Sequence, residues 1–465
     1  MAVLGYTAGD LSAWNAARAA VLAGTTPCKI MIGPGESTAV GFNRKPPTWV
    51  NNYGAWESRL STKLAKKFNG RGLRARHDIL FGSHNVGSGN AFADYAPNNY
   101  RGGDLKSVAC GDTNRSDAWA NSATQWLSPL TQGGKYLGNT SGFTWSSHGS
   151  KPIEWVSDRP FTHIIVYDWN EVNTLAYTVS VADEFNNSNP SGTLATVTQN
   201  GLGAFRRTVV DCGGVQRAGR VVRLTPTVLG TDFQHRIGGI ELYNASTPEV
   251  GIFTAAADGN ELATFISSSD TGFTTGGTSG IDGTGKAAVS NGGITLSLPV
   301  LQPKLVIPYI MINDLLNGVT LADYTARYNW MTSRIAAYGA SCLHIVVHNL
   351  GTQYPAGTPT PNLSSLANFQ AAIRSVASSY GHGYLDLPVR WGAYGTPDSS
   401  AALGNGTEVF GRFGTNGWMA DGVHPTEDGT DDIAQAIAEI LMPSSVVASN
   451  DGVGGRVVWR RAIVR

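Results

Sequence analysis

The chain predicts an α/β fold: a parallel sheet covered by helices on both faces, interrupted by an inserted antiparallel β-sandwich of jelly-roll type. Three observations predict it. Beyond about residue 249 apolar strand-like runs alternate with helical stretches, the pattern of a parallel sheet buried on both sides. Between about residues 76 and 248 short β-type runs follow one another, separated by Gly, Asn, Pro and Ser clusters, as in an antiparallel sandwich. The first 75 residues again mix helix with a buried strand, so the α/β unit is assembled from both ends of the chain.

Each element has its own signal. The opening MAVLGYTAGDLSAWNAARAAVLAG lacks a basic segment followed by a clean apolar core. It reads as an alanine-rich amphipathic helix and not as a signal peptide. Residues 28–32 are an apolar strand, and residues 53–68 place Trp56, Leu60, Leu64 and Phe68 on one helical face. FTHIIVYDW, AYTVSVADEF, GTLATVTQ, FRRTVVD and RVVRLTP are strands of the insert. PEVGIFTAAADG and KLVIPYIMIND read as buried strands, LADYTARYNWMTSRIAAYGA as a helix and CLHIVVHN as a strand. LSSLANFQAAIRSVASSYG is a helix, GYLDLPV a strand and DDIAQAIAEILM a closing helix. The Gly/Ser/Thr-rich residues 267–293 are a long loop. The expected division is 1–75 and 249–442 for the two parts of the α/β domain, 76–248 for the insert, and 443–465 for a tail. The tail ends in the strand-like VVWRRAIVR. It packs either on a partner subunit or as a peripheral strand of its own chain.

Composition excludes several function classes. The 465 residues carry 34 basic and 34 acidic side chains, a net charge of zero, with no basic stripe to hold a nucleic acid. No apolar stretch approaches the roughly 18 residues of a membrane-spanning helix. The expectation is a soluble protein, either cytoplasmic or exported without an N-terminal signal, as in a virus particle. The four cysteines, Cys28, Cys110, Cys212 and Cys342, match no zinc pattern. Cys28 and Cys342 read as small buried hydrophobes, while a Cys110–Cys212 pair stays open. Residues 112–117 lack the Gly and distal Glu of a calcium loop and read as a solvated turn. His344 and His348 lie on a strand-like run and make no helical metal pair. No cofactor and no metal is expected.

Ligands of parallel α/β sheets bind outside the carboxyl ends of the strands, so the residues after each strand are the candidates. After CKIMI comes GPGESTAVG, with Ser37; after EVGIF comes TAAADGN, with Gly259; after KLVIPYIMI come Asn313 and Asp314; before the last helix sits DGVHP, with Asp421 and His424. A nucleophile, two oxyanion donors and a base with its carboxylate fall on one rim. Singly each has a bland reading: a turn serine, a loop histidine, a backbone-satisfying asparagine. Their convergence is the signal.

These segments resemble the motifs of the SGNH/GDSL hydrolases. GESTAVG resembles the first, TAAADGN the second with Gly259 as N–H donor, MIND the third with the Asn313 amide as donor, and DGVH the last. The resemblance spans residues 28–75 and 249–442 and leaves out the insert. It implies a flavodoxin-like three-layer sandwich. Glu36 stands where the family has Asp, and Met311 where it has Gly. An alternative second motif is Gly87-Ser88-Gly89, after Ile79-Leu80-Phe81.

The resemblance implies a serine esterase acting through an acyl-enzyme on Ser37. His424 is the base and Asp421 orients it, with Ser37 N–H, Gly259 N–H and Asn313 as the oxyanion hole. Similar domains with an inserted sandwich occur among carbohydrate esterases, including deacetylases of phage tails. Trp119, Trp126, Trp145, Trp155 and Trp169 of the insert are core residues or sugar-stacking platforms. The expected substrate is a small ester, foremost an O-acetyl group on a polysaccharide, and the expected partners are a homo-oligomer or a virion tail. A lipase or thioesterase, and a non-catalytic carbohydrate-binding tail protein, are the competing readings.

Overall fold

A computed structural model of the chain describes residues 3–40, 56–69, 75–76, 79–81, 105–110, 153–157, 160–170, 175–183, 192–199, 204–228, 236–256, 261–265, 294–350, 363–392, 423–425 and 427–443. The strands are β1 (Tyr6–Thr7), β2 (Cys28–Gly35), β3 (Ala75–Arg76), β4 (Ile79–Phe81), β5 (Leu105–Cys110), β6 (Ile153–Ser157), β7 (Phe161–Asn170), β8 (Leu175–Ala182), β9 (Thr193–Gln199), β10 (Ala204–Gln216), β11 (Val221–Val228), β12 (Arg236–Tyr243), β13 (Val250–Ala256), β14 (Leu305–Tyr309), β15 (Ser341–Val346) and β16 (Gly383–Asp386). The helices are α1 (Ser12–Leu22), α2 (Ser37–Val40), α3 (Trp56–Asn69), α4 (Ile294–Leu301), α5 (Ile312–Leu316), α6 (Leu321–Tyr338), α7 (Leu363–Ser379), α8 (Leu387–Gly392) and α9 (Glu427–Leu441).

The central sheet has the order β1-β16-β15-β14-β2-β13-β3. Only the β1–β16 pair is antiparallel. Numbering β2, β13, β14, β15 and β16 from first to fifth gives the order 2-1-3-4-5, the flavodoxin-like arrangement. The chain reverses direction across the sheet at the β2–β14 pair, so a ligand crevice belongs at their carboxyl ends. Strands β2, β14 and β15 are buried along their whole length, because helices cover both faces. One layer is α3 against α9, with the Trp14 indole of α1 donating to the Leu441 carbonyl at 3.2 Å; the other is α4, α6 and α7. Helix α6 shows why such segments are helical. Thr320 caps it by accepting from Asp323 N–H at 3.1 Å, and Gly339, at φ 84°, ends it in the left-handed region.

Two antiparallel sheets, β10-β7-β12-β4 and β5-β6-β11-β8-β9, come from the chain between the first and second parts of the central sheet. Their shared core holds Ile164, Val166, Tyr177, Val179, Val222 and Leu224. Strand β7 serves two cores. Ile164 and Val166 point into this sandwich, whereas Ile165 and Tyr167 belong to the core of the α/β unit. Alternation along the strand with both faces buried accounts for its unbroken apolar run.

A buried polar triad lies where these units meet. Lys29 Nζ of β2 is 2.9 Å from Tyr167 Oη and 3.2 Å from Glu241 Oε2, and Tyr167 donates to that same oxygen at 2.6 Å. All three are buried. Removing one member of a buried pair strands the other charge, so Lys29→Met is expected to lower unfolding stability by about 3–5 kcal/mol. Lys29→Met combined with Glu241→Met should recover part of that loss. Urea unfolding checks both, and an undisturbed single variant would refute the coupling.

Some sequence expectations are corrected. The N-terminal segment is not helical throughout. Tyr6–Thr7 pairs with β16, and the helix is confined to Ser12–Leu22. Gly9 makes the docking feasible, since a Cβ there would lie 2.0 Å from Gly383 N. MIND and LPV leave the strand state and begin α5 and α8. Helix α4, with Pro299 inside it, has no counterpart in the sequence reading. Cys28, Cys212 and Cys342 are buried free thiols, and the Cys110 side chain lies outside the described residues. Among the described residues no helix is long and apolar enough to cross a membrane.

Candidate active site

The site begins with a fault in β2. Ile32 pairs with Thr254 and with Ile307, yet Gly35 pairs with Ala256 and with Tyr309. Both neighbours advance by two residues while β2 advances by three, so β2 carries a β-bulge at Gly33-Pro34. Gly33 sits at φ 130°, a conformation suited to glycine. Bulges re-aim the residues beyond them. Here the strand ends at Gly35, Glu36 follows it, and Ser37 opens α2 at once.

Glu36 is fully buried. Its Oε1 accepts from Met311 N–H at 3.1 Å and Ile312 N–H at 2.9 Å, and its Oε2 accepts from Asn313 N–H at 2.8 Å. These are orphan donors of the first turn of α5, which no intrahelical partner can satisfy. The carboxylate therefore welds the Ser37 elbow to the turn that carries Asn313. Burial pushes the Glu36 carboxyl up to about 7, against the pull of the Asn313, Ile312 and Met311 amides and of the neighbouring His424. Met311 lies fully in the core.

The segment after Gly259 is tied to the same helix. Leu262 N–H donates to Asp314 Oδ2 at 2.9 Å, and Asn317 Nδ2 donates to Glu261 Oε1 at 2.8 Å. Burial raises the Asp314 carboxyl well above the usual carboxylate range.

His424 is buried, on the approach to α9. Its loop is held from β15: His348 Nε2 is 2.8 Å from the Val423 carbonyl oxygen, and His348 Nδ1 is 2.9 Å from Tyr309 Oη. His348 is fully buried, with the Trp391 ring 5.3 Å away, centroid to centroid.

The structure thus brings the Ser37 backbone, Asn313 and His424 around Glu36 at the switch point of the sheet. Asp421, Gly259, Gly87 and Gly89 lie outside the described residues, as do Trp119, Trp126, Trp145, residues 112–117, 267–293 and most of the 443–465 tail. The strand before Gly87, Ile79–Phe81, pairs antiparallel with β12, whereas β13, before Gly259, pairs parallel with β2. Glu36 and His348 were the residues whose roles sequence reasoning missed. Their signal was position alone: each stands at or just past the carboxyl end of a parallel strand.

Cys342, His344 and His382 bring their ligand-type atoms within 4.8 Å of one another. The two imidazoles are 3.1 Å apart, His344 Nε2 to His382 Nδ1, with ring centroids 5.4 Å apart. That separation puts both nitrogens on the line between the ring centres, the geometry of a straight N–H···N bond. Two imidazoles on one metal would converge and bring the rings closer. Burial lowers His344 to about 3, and Tyr328 Oη lies 2.9 Å from its Nδ1. This cluster is a hydrogen-bonded chain inside the core.

Residues 269–431 match the model of the GDSL-like Lipase/Acylhydrolase family. No curated protein sequence matches the chain. Among solved structures, a peptidoglycan O-acetylesterase aligns over 93% of this chain and 96% of its own, at 16% identity and a TM-score of 0.52. An acetyl xylan esterase aligns over 42% of this chain and 83% of its own, at 12% identity and a TM-score of 0.28. A GDSL-like lipase from Bacteroides thetaiotaomicron aligns over 41% and 75%, at 14% identity and a TM-score of 0.28. The first is a likeness of fold, and the other two add nothing to it. Strand order and the matched segment agree on an α/β unit similar to that of the SGNH/GDSL hydrolases.

Proposed function

We propose that the chain is a serine esterase that hydrolyses small acyl esters, foremost O-acetyl groups on a polysaccharide, through an acyl-enzyme on Ser37. The observation that carries this reading is the Glu36 carboxylate. It ties the turn of Asn313 to the residue before Ser37 and lies within the electrostatic reach of His424. Serine is a weak nucleophile at neutral pH and needs a base. His424 takes the Ser37 proton as the hydroxyl attacks the ester carbonyl, then returns it to the leaving alcohol. Asp421 orients the imidazole and stabilises the imidazolium. Negative charge that gathers on the carbonyl oxygen meets Ser37 N–H, Gly259 N–H and the Asn313 amide, each donor worth about 3 kcal/mol in the transition state. Water then repeats the sequence on the acyl-enzyme and releases the acid.

The fold neighbour that acts on peptidoglycan names the first glycan to test. The experiment combines a fluorophosphonate probe with acetate release from acetylated peptidoglycan and acetylated xylan, and with a chain-length series of p-nitrophenyl esters. The expected result is label on Ser37, acetate released, and kcat/KM falling as the acyl chain lengthens. Label on another residue would refute the nucleophile, no label at all would favour a carbohydrate-binding protein, and kcat/KM rising with chain length would favour a lipase or thioesterase.

A further inference from the structure

The imidazole of His348 sits just past β15, at the carboxyl edge of the central sheet, and is fully buried. Its two nitrogens have unlike partners. The Val423 carbonyl oxygen, 2.8 Å from Nε2, can only accept. Nε2 must therefore carry the proton and donate. In the neutral ring Nδ1 is then a lone pair, which accepts from the Tyr309 hydroxyl at 2.9 Å. Burial raises Tyr309 well above its usual value, so that hydroxyl keeps its proton to donate. Trp391 packs against the ring, with centroids 5.3 Å apart. Trp391 is itself held by donating Nε1–H to Asp432 Oδ2 at 3.0 Å, and Asp432 is gripped by Arg390 through contacts of 2.6 and 2.7 Å.

Val423 directly precedes His424, and Pro425 follows it with no N–H to give. The backbone on the N-terminal side of His424 is thus tethered to the sheet edge by a side-chain hydrogen bond. Tyr309, whose hydroxyl meets His348 Nδ1, ends β14, and its carbonyl accepts from Glu36 N–H at 3.4 Å. The Ser37 elbow and the His424 loop are both referred to the end of β14. We infer that His348 is a positioning residue for the proposed base His424, acting through the Val423 carbonyl. This rests on the esterase reading above.

The test uses His348→Phe, His348→Gln and Tyr309→Phe in the full chain, with p-nitrophenyl acetate as substrate. Phe fills the space of the ring without a donor, whereas the Gln side-chain amide can place a donor near the position of Nε2. His348→Phe is expected to lower kcat by about 10- to 100-fold, the effect of a small misplacement of a catalytic group. KM should stay within about twofold, since ground-state binding is untouched. His348→Gln should restore most of kcat, and Tyr309→Phe should cost about fivefold, one hydrogen bond's worth. Nitrogen NMR of labelled wild type should show the His348 proton on Nε2. Wild-type kcat in folded His348→Phe, a His348→Gln protein as impaired as the Phe variant, or the proton on Nδ1 would overturn the inference. If His348→Phe does not fold, Tyr309→Phe decides, and unchanged kcat there overturns it. Failure of the esterase reading looks different: wild type itself is then inactive, or Ser37→Ala is as active as wild type.

Discussion

Ser37→Ala is expected to lower kcat for ester hydrolysis by roughly 10⁴- to 10⁶-fold, the range seen when a triad nucleophile is lost. Stability should hardly change. Ser37 opens a single helical turn after β2, and alanine is the best helix former. Residual catalysis over water would come from the oxyanion donors alone. Loss of His424 should cost a similar factor, and the double variant no more than either single one, because nucleophile and base act as a unit. Acetate release and a thermal melt on the same preparations check this. An additive double variant would mean that the two residues do not work on one proton, and a fully active Ser37→Ala would place the nucleophile elsewhere.

Glu36→Gln should produce the next largest effect, on activity and on stability in different pH ranges. The glutamine amide offers one acceptor oxygen and turns an NH₂ toward backbone N–H groups that need acceptors. A buried N–H left unsatisfied costs about 1–3 kcal/mol, and the Asn313 turn loosens from the Ser37 elbow. Activity at pH 8 is expected to fall by at least about tenfold, in line with the loss of one well-placed oxyanion donor.

Titration supplies a second signature. The folded Glu36 carboxyl titrates near 7 against an ordinary value of 4.5, with burial as the leading cause. Between those values the folded chain holds a proton that the unfolded chain has released. The contribution of Glu36 to stability is therefore complete below pH 4.5 and is lost as pH rises through about 7. Over that interval it amounts to about 3 kcal/mol. Relative to Glu36→Gln, which does not titrate, wild type should lose about that much stability between pH 5 and pH 8. Parallel stability curves in urea would show that the carboxyl is not raised. The clamp on Asn313 strengthens in the same direction, because the ionised carboxylate is the better acceptor of three amides. Catalysis and stability are thus set against each other at this one residue.

Much of the fold was legible in order along the chain. Strand–helix alternation in the α/β unit and the run of short strands between its parts follow from hydrophobic period, which is a local property. The apolar runs of β7 and β2 were read as strands, and the fold shows them buried on both faces, while Thr320 and Gly339 mark where α6 starts and stops. Tyr6–Thr7 and α4 escaped that reading. Two residues carry no period, and a helix with Pro299 inside reads as a break.

The candidate residues stood out in the sequence, but the way they are held together did not. Ser37, Asn313 and His424 each follow or precede an element that local patterning reveals, so their place on one rim could be inferred from the rule for parallel sheets. What tertiary structure alone decided is how they are held. Glu36 lies 275 residues or more from the amides it binds, and His348 lies 75 from the carbonyl it binds. No short-range pattern encodes such partners. In the sequence Glu36 looks like an imperfect motif and His348 like a stray histidine after a strand. A buried polar group reveals its role only through the specific group that satisfies it, and folding chooses that group.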